Sequence, residues 1–233
     1  MADLPGFGSM DLDDRGGPHV FVYEDRRSVP ATAGLTPSQT VGPFFAYGLT
    51  PGTYGYLHAE IHRSELAGGV QPDGPHAGGG YVPGAGTHLM VEGQVFDGAG
   101  VPIHDAMVEI IQADADGHHA RARRNDGFTG YGRYGTGSEG PNGDTRFRFR
   151  TVKPGATGPG RAPSITFIIT MRGLLNHCIT RMYFPGDDHT ADPVFNQVPP
   201  ERRSTLVATE IGPGRFRFDI HMQGEKETVF FDL

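Results

Sequence analysis

The sequence predicts an all-β protein: an antiparallel β-sandwich with long Gly/Pro-rich loops and at most one or two short helices. Of its 233 residues, 36 are glycine and 19 are proline, and so many turn formers disfavour long helices. Between the turns, short segments alternate apolar and polar residues with a period of two, as strands with one buried face do. Short strands separated by regular turns are typical of two packed antiparallel sheets.

The first two predicted strands are joined by a turn. Residues 88–96 alternate in polarity, and the Asp-Gly-Ala-Gly sequence at 97–100 follows as the turn. Residues 106–112 are rich in apolar and β-branched side chains, and they supply the strand that follows the turn.

Five further strands and one helix are predicted downstream. In 146–150 two phenylalanines alternate with three arginines, so one face is apolar and the other is basic, either solvated or paired with another subunit. A short helix is predicted at 200–207, where prolines precede charged residues of the first turn. The predicted downstream strands are 146–150, 164–170, 178–184, 215–222 and 227–233.

Two regions divide the chain. Residues 1–34 are rich in Gly, Pro and Asp and are predicted to form an irregular N-terminal extension, with an added edge strand at 19–24 as the alternative. Residues 35–233 form the predicted sandwich domain. Long loops are expected at 66–86 and 117–143, and loops of that length usually carry function or assembly contacts.

Composition excludes several classes of function. The net charge of −7 makes nucleic acid an unfavourable partner, and no apolar run approaches the ~20 residues that span a membrane. Cys178 is the single cysteine, so no intrachain disulfide can form, which suits a reducing compartment. With no apolar segment of a secretory signal in residues 1–20, a cytoplasmic protein without membrane contact is expected.

One motif points to a metalloenzyme scaffold without its metal ligands. The segment Arg161-Ala-Pro-Ser164-Ile-Thr166-Phe167 resembles Arg-x-x-His-Ile-His-Phe, the strand that supplies two iron ligands in intradiol ring-cleaving dioxygenases. Alternation places Ser164 and Thr166 on one face of a strand, where two histidines could reach one ion. A hydroxyl is a poor replacement for imidazole as a ligand to a transition metal.

Further segments resemble the same family in the same order, and together they cover about residues 35–233. The resemblance is to the non-iron chain of the two-chain enzymes within the family. The matching segments are 35–45, 93–98, 109–114, 151–155, 181–184, 216–220 and 225–233.

The resemblance implies an Fe(III) bound by two Tyr and two His in the iron-bearing chain. The two tyrosine positions fall after the turn 152–155 and near residues 118–121, and neither place has a tyrosine here. With Ser164 and Thr166 as vestigial ligand positions, this chain is expected to bind no metal and to carry no catalytic residue. The Fe(III) is expected in a homologous beta-type partner, with an aromatic acid and O2 at the shared site and a larger symmetric oligomer.

The resemblance also maps a wall of that shared site onto Thr40, Gly42, Pro43 and Arg172. A guanidinium on the wall would attract and orient the carboxylate of an aromatic acid. Gly42-Pro43 would give a rigid turn of small profile, against which a flat ring can pack.

Other interpretations are open at the level of sequence. His58 and His62 could share a helical face and a metal, although the surrounding glycines weaken any helix there. Tyr131 or Tyr134 could turn inward, but without histidine partners neither would hold iron. The whole chain could also be a stand-alone β-sandwich binding module without enzymatic activity, since a fold does not fix a function.

Overall fold

A computed structural model of the chain describes residues 82–120, 128–137 and 145–232, together with Gly80 and five positions between 40 and 50. The predicted N-terminal extension 1–34, with its alternative strand at 19–24, and Pro43 lie outside the described residues. The described part contains no helix long and apolar enough to cross a bilayer.

The described residues contain ten strands, which form two four-stranded sheets and one two-stranded pair. The first sheet has the order β5-β1-β9-β8 and is called here the β1 sheet; the second has the order β4-β3-β6-β7 and is called the β3 sheet. The strands are β1 His88–Gly93, β2 Val95–Phe96, β3 Met107–Gln112, β4 Tyr131–Gly135, β5 Phe147–Val152, β6 Ser164–Thr170, β7 Cys178–Tyr183, β8 Thr209–Gly212, β9 Arg215–Arg217 and β10 Ile220–His221; a short helix α1 spans Pro193–Gln197 and a 3₁₀ helix spans Pro200–Leu206.

The hydrophobic core lies between the two sheets, which confirms the predicted sandwich. In β5, Phe147 and Phe149 face inward, and their rings lie 5.8 and 6.1 Å from the ring of Phe167 in β6. Every second residue of β6, beginning with Ile165, is fully buried, as a strand with one core face requires. Most pairs are antiparallel, while β9 runs parallel to β1 and β10 runs parallel to β2.

Residues 117–143 were predicted to form one long loop, but they contain the strand β4. It pairs with β3 in an antiparallel ladder from Met107 to Ile111. A Cβ on its Gly132 would lie 2.9 Å from Val82 Cγ2 and 3.2 Å from the side chains of Ile110 and Phe149. The close approach of the core thus requires a glycine here, and that glycine hides the alternation that sequence patterns detect.

The end of the chain also departs from the prediction. Residues 227–232 form no regular ladder, so the predicted strand 227–233 is wrong; single hydrogen bonds hold this segment instead. Its Thr228 N–H donates to the carbonyl oxygen of His221 at 2.9 Å, and its Phe231 N–H donates to that of Ile179 at 2.8 Å. The predicted helix at 200–207 is present as the 3₁₀ helix, whereas α1 and β8 were not predicted.

Candidate functional site

The motif residues of β6 lie on the outer face of the β3 sheet. Ser164 and Thr166 are half-buried on the side opposite the core, so the two positions do share a face. The cross-strand neighbours of Thr166 are Ile111 on β3 and Arg181 on β7. A guanidinium therefore lies on the strand beside one position where a metal ligand would be needed.

The tyrosine opposite Ser164 is committed to another role. Tyr183 pairs with Ser164 in the ladder, but its ring packs against Phe195 of α1 at 5.0 Å and is fully buried. Its hydroxyl donates to Oδ1 of Asp192 at 3.2 Å. Burial raises the pKa of Tyr183 to about 12. It is thus a neutral phenol at physiological pH, whereas a metal-binding tyrosine is a phenolate.

Three segments converge at the start of β6. The Gly155 N–H, in the turn after β5, donates to the carbonyl oxygen of Asp114, in the loop after β3, at 2.8 Å. Gln112, which pairs with Ile165 of β6, donates through Nε2 to the carbonyl oxygen of Val152 at 2.9 Å. The structure thus brings together the segments that, by resemblance, would carry the metal ligands.

A cluster of two carboxylates and one histidine lies on the same loop, and hydrogen bonds within the loop explain its arrangement. Asp114, Asp116 and His118 have ligand-type atoms within 4.8 Å of one another, and no other such group of three is found among the described residues. Oδ1 of Asp114 accepts the N–H groups of Asp116 at 3.0 Å and of His118 at 2.8 Å. This is an Asx turn, which accounts for the arrangement without a metal. His58 and His62, the other histidines considered as ligands, lie outside the described residues.

The two candidate tyrosines of the β4 region are also engaged. The Tyr131 hydroxyl donates to Glu109 on the outer face of the β3 sheet, and Arg133 donates to the same carboxylate through Nε at 2.9 Å. Burial, followed by the hydrogen bond to Glu109, raises the pKa of Tyr131 well above its ordinary value. Tyr134 faces the core and packs edge-to-face against Phe149. Neither ring reaches toward Ser164 or Thr166 as a ligand.

Arg172 lies at the other end of β6, in the turn that leads to β7. It follows Thr166 by six residues, so the two lie roughly 20 Å apart along an extended chain at ~3.3 Å per residue. The Arg172 side chain is 51% exposed, and its Nε donates to the carboxylate of Asp105. The structure therefore separates Arg172 from the vestigial positions of its own chain.

The remaining wall positions are only partly described. Thr40 is exposed, and Gly42 is half-buried with φ at +79°. Residues with a side chain rarely adopt that left-handed conformation, although a Cβ at Gly42 would meet no atom of the described residues within 4 Å. The backbone thus favours a glycine there, and none of the described residues fills the space beside it.

Comparison with known proteins identifies the family. Residues 80–162 match the family model described as Dioxygenase. The chain is 45% identical over 211 residues to the protocatechuate 3,4-dioxygenase alpha chain of Burkholderia cepacia, covering 87% of this chain and 99% of that one. It is 37% identical to the alpha chain of Pseudomonas putida, covering 85% and 96%, and 34% identical to the beta chain of Burkholderia cepacia, covering 64% of each.

The chain therefore belongs to the intradiol ring-cleavage dioxygenase family. Within that family its likeness extends over nearly the whole length of protocatechuate 3,4-dioxygenase alpha chains, but over less than two thirds of a beta chain.

The family's iron does not fit the residues described at the start of β6. Ser164 and Thr166 offer neutral hydroxyls, which bind transition metals poorly. Arg181 beside Thr166 would repel a cation, and Tyr183 beside Ser164 is a buried neutral phenol that already donates to Asp192. Sequence reasoning found the two hydroxyls but not Arg181, because only the register of β6 and β7 makes Arg181 a neighbour.

Proposed function

We propose that this chain is the non-iron, alpha-type subunit of a protocatechuate 3,4-dioxygenase. It pairs with a homologous beta-type chain that holds the Fe(III), and it completes the active site of that chain. The complex cleaves the ring of protocatechuate between its two hydroxyls with O2, in the catabolism of aromatic compounds. Several alpha–beta pairs assemble into a larger symmetric oligomer.

One observation carries the proposal: the ligand positions of β6 hold hydroxyls and stand beside a guanidinium. Both His positions of the family strand are replaced, and Arg181 and Tyr183 occupy the adjacent strand. A chain that retains the scaffold but lacks these ligands is what we expect of a subunit that completes a site in another chain. The near full-length likeness to alpha chains supports the same conclusion.

The arrangement of β6 supports a role in trans for Arg172. Since Arg172 is half-exposed and far from the vestigial positions, it is available to face a site on a partner chain. We propose that its guanidinium binds the carboxylate of protocatechuate, and that Thr40, Gly42 and Pro43 form the rest of the wall. The space beside Gly42, which none of the described residues fills, suits a flat ring.

The deciding experiment compares this chain alone with the chain co-expressed with the beta-type homologue of its own genome. Iron per chain and protocatechuate-dependent O2 uptake are measured for both preparations. We expect iron and activity only in the co-purified complex. Iron and activity in the lone chain would overturn the proposal, and a stable lone chain that forms no complex would identify a stand-alone module instead.

The substrate-binding role of Arg172 has its own test in that complex. Removing a hydrogen bond to a charged group costs about 1.5–3 kcal/mol, so Arg172→Ala should raise KM for protocatechuate roughly tenfold or more. KM for 4-methylcatechol, which has no carboxylate, should not change. Arg150→Ala removes a guanidinium from the exposed face of the β1 sheet and serves as the matched control. An equal loss with both substrates would contradict a role in carboxylate binding.

A further inference from the structure

We propose that Asp105 is a positioning residue that holds the guanidinium of Arg172 in the orientation needed for the substrate carboxylate. This inference rests on the proposed function of Arg172. It assigns a role to a residue in the connection between β2 and β3, a segment that contains none of the site residues predicted from sequence.

The register of β3 and β6 places the two side chains together. In this antiparallel pair, Glu109 is opposite Ile168 and Met107 is opposite Thr170. Continuing by two residues on each strand places Asp105 opposite Arg172, beyond the last paired residues. At these positions the chain has left the strands, with Asp105 in a bend and Arg172 in a turn, and the ion pair between them shows that the two side chains meet.

The ion pair constrains the arginine more than the aspartate. The Asp105 side chain is only 18% exposed, whereas that of Arg172 is 51% exposed. The contact is made through Nε, the nitrogen nearest the aliphatic stem. Because the guanidinium is planar, a bond to Nε also limits the directions in which the terminal N–H groups can point.

Asp105 is held in turn by the end of β4. The buried hydroxyl of Thr136 accepts the N–H of Ala106 at 3.0 Å and donates to the carbonyl oxygen of Ile103 at 2.8 Å. The Thr136 N–H donates to the carbonyl oxygen of Ala106 at 2.8 Å. These bonds fix the backbone on both sides of Asp105, and the fixed backbone restricts the direction in which the carboxylate points.

Positioning and charge have opposite effects on substrate binding. As a nearby anion, Asp105 weakens the attraction of Arg172 for a substrate carboxylate. As an orienting group, it reduces the conformational freedom that Arg172 loses when the substrate binds. The charge effect on an exposed group is screened by salt, while the orienting effect is not. The sign of the change in KM therefore distinguishes the two roles.

The test uses the alpha–beta complex with Asp105→Ala, Asp105→Asn, Arg172→Ala and the Asp105→Ala/Arg172→Ala pair. KM and kcat are measured for protocatechuate and for 4-methylcatechol, at low and at high salt. We expect Asp105→Ala to raise KM for protocatechuate about five- to tenfold at both salt concentrations, with kcat and the constants for 4-methylcatechol unchanged. Asp105→Asn should raise it less, because the amide oxygen still accepts from Nε.

In the Arg172→Ala background, Asp105→Ala should have no further effect on KM, since there is no guanidinium left to orient. A lower KM in Asp105→Ala, disappearing at high salt, would overturn the proposal and leave Asp105 as a charge-masking group only. A higher KM that persists without Arg172 would also overturn it. If Arg172→Ala itself leaves KM unchanged, the wall role of Arg172 fails, and that result is separate from a failure of Asp105 alone.

Discussion

Asp192 is a buried carboxylate that connects several segments around the vestigial positions Ser164 and Thr166. It is 1% exposed and receives four hydrogen bonds. Oδ1 accepts the N–H groups of Val194 and Phe195 at 2.9 and 3.0 Å, together with the Tyr183 hydroxyl at 3.2 Å. Oδ2 accepts the N–H of Ala162 at 2.9 Å. One side chain thus caps α1 and ties it to β7 and to the segment that enters β6.

Asp192→Ala should therefore destabilise the chain by roughly 3–7 kcal/mol. Loss of a helix cap costs about 1 kcal/mol, and each buried donor left without an acceptor costs about 1–3 kcal/mol. Two such donors would remain, the Ala162 N–H and the Tyr183 hydroxyl. A loss of this size is large for a point mutation, and breaking a buried hydrogen-bond network is one of the few mechanisms that cause it.

Urea unfolding of the full chain, followed by far-UV circular dichroism, measures the effect. With a slope of about 2 kcal/mol per molar urea, the midpoint should fall by roughly 1.5–3.5 M. Asp188→Ala is the control, because that nearby carboxylate is exposed and, within the described part of the chain, bonds only to Thr190. Its midpoint should be almost unchanged. A loss below about 1 kcal/mol for Asp192→Ala would refute the network as described.

The pH dependence gives a second check on Asp192. Burial by itself would raise its pKa, but the N–H groups of Ala162, Phe195 and Val194 outweigh burial and hold the pKa below its ordinary value. A carboxyl with a lowered folded-state pKa contributes stability above its unfolded pKa of about 3.9, and this stability is lost as the pH falls through the folded pKa. The gap in stability between the original chain and Asp192→Asn should thus narrow below about pH 4.

Two further substitutions test the fold and the vestigial site. Gly132→Ala should destabilise the chain by about 1–3 kcal/mol in the same urea assay, because its Cβ would overlap Val82 Cγ2. Gly158→Ala is the control. A Cβ at Gly158 would meet no atom of the described residues within 4 Å, so this variant should be nearly neutral. Ser164→His combined with Thr166→His should not give the lone chain stoichiometric iron by metal analysis, because Arg181 remains beside position 166 and no phenolate is supplied. Iron binding by that double variant would show that the two hydroxyls alone account for the loss of the metal.

The sequence predicted those strands whose alternation was strong and missed those whose pattern depends on contacts. Residues 164–170 were predicted with the same bounds as β6, because the segment is rich in apolar and β-branched residues and contains neither Gly nor Pro. In β4 the inward position 132 is a glycine, dictated by the approach of Val82 and Phe149 from other segments. The start of α1 at Asp192-Pro193 did carry a local signal, an N-cap followed by proline, and it could have been found.

Only the site residues that belong to a continuous sequence motif could be predicted. Ser164 and Thr166 were identified from the residues around them, and their shared face follows from strand geometry. Arg181 and Asp105 were not, because their proximity to Thr166 and Arg172 depends on how β6 pairs with β7 and with β3. Local sequence does not specify that register, which is set by the packing of buried residues against the opposite sheet.

In our proposal, the two ends of β6 have different roles in a chain that keeps this fold and serves the iron of a partner. At one end, the vestigial positions hold the hydroxyls of Ser164 and Thr166, and the neighbouring Tyr183 already donates to Asp192. At the other end, β6 projects Arg172 from a strand that is paired on both sides, with β3 and β7. A central strand is among the more rigid elements of a sandwich, because it pairs with a neighbour on each side, whereas an edge strand pairs on one side only. In our proposal the scaffold is retained because it presents Arg172, braced by Asp105, at a fixed position toward the partner's site.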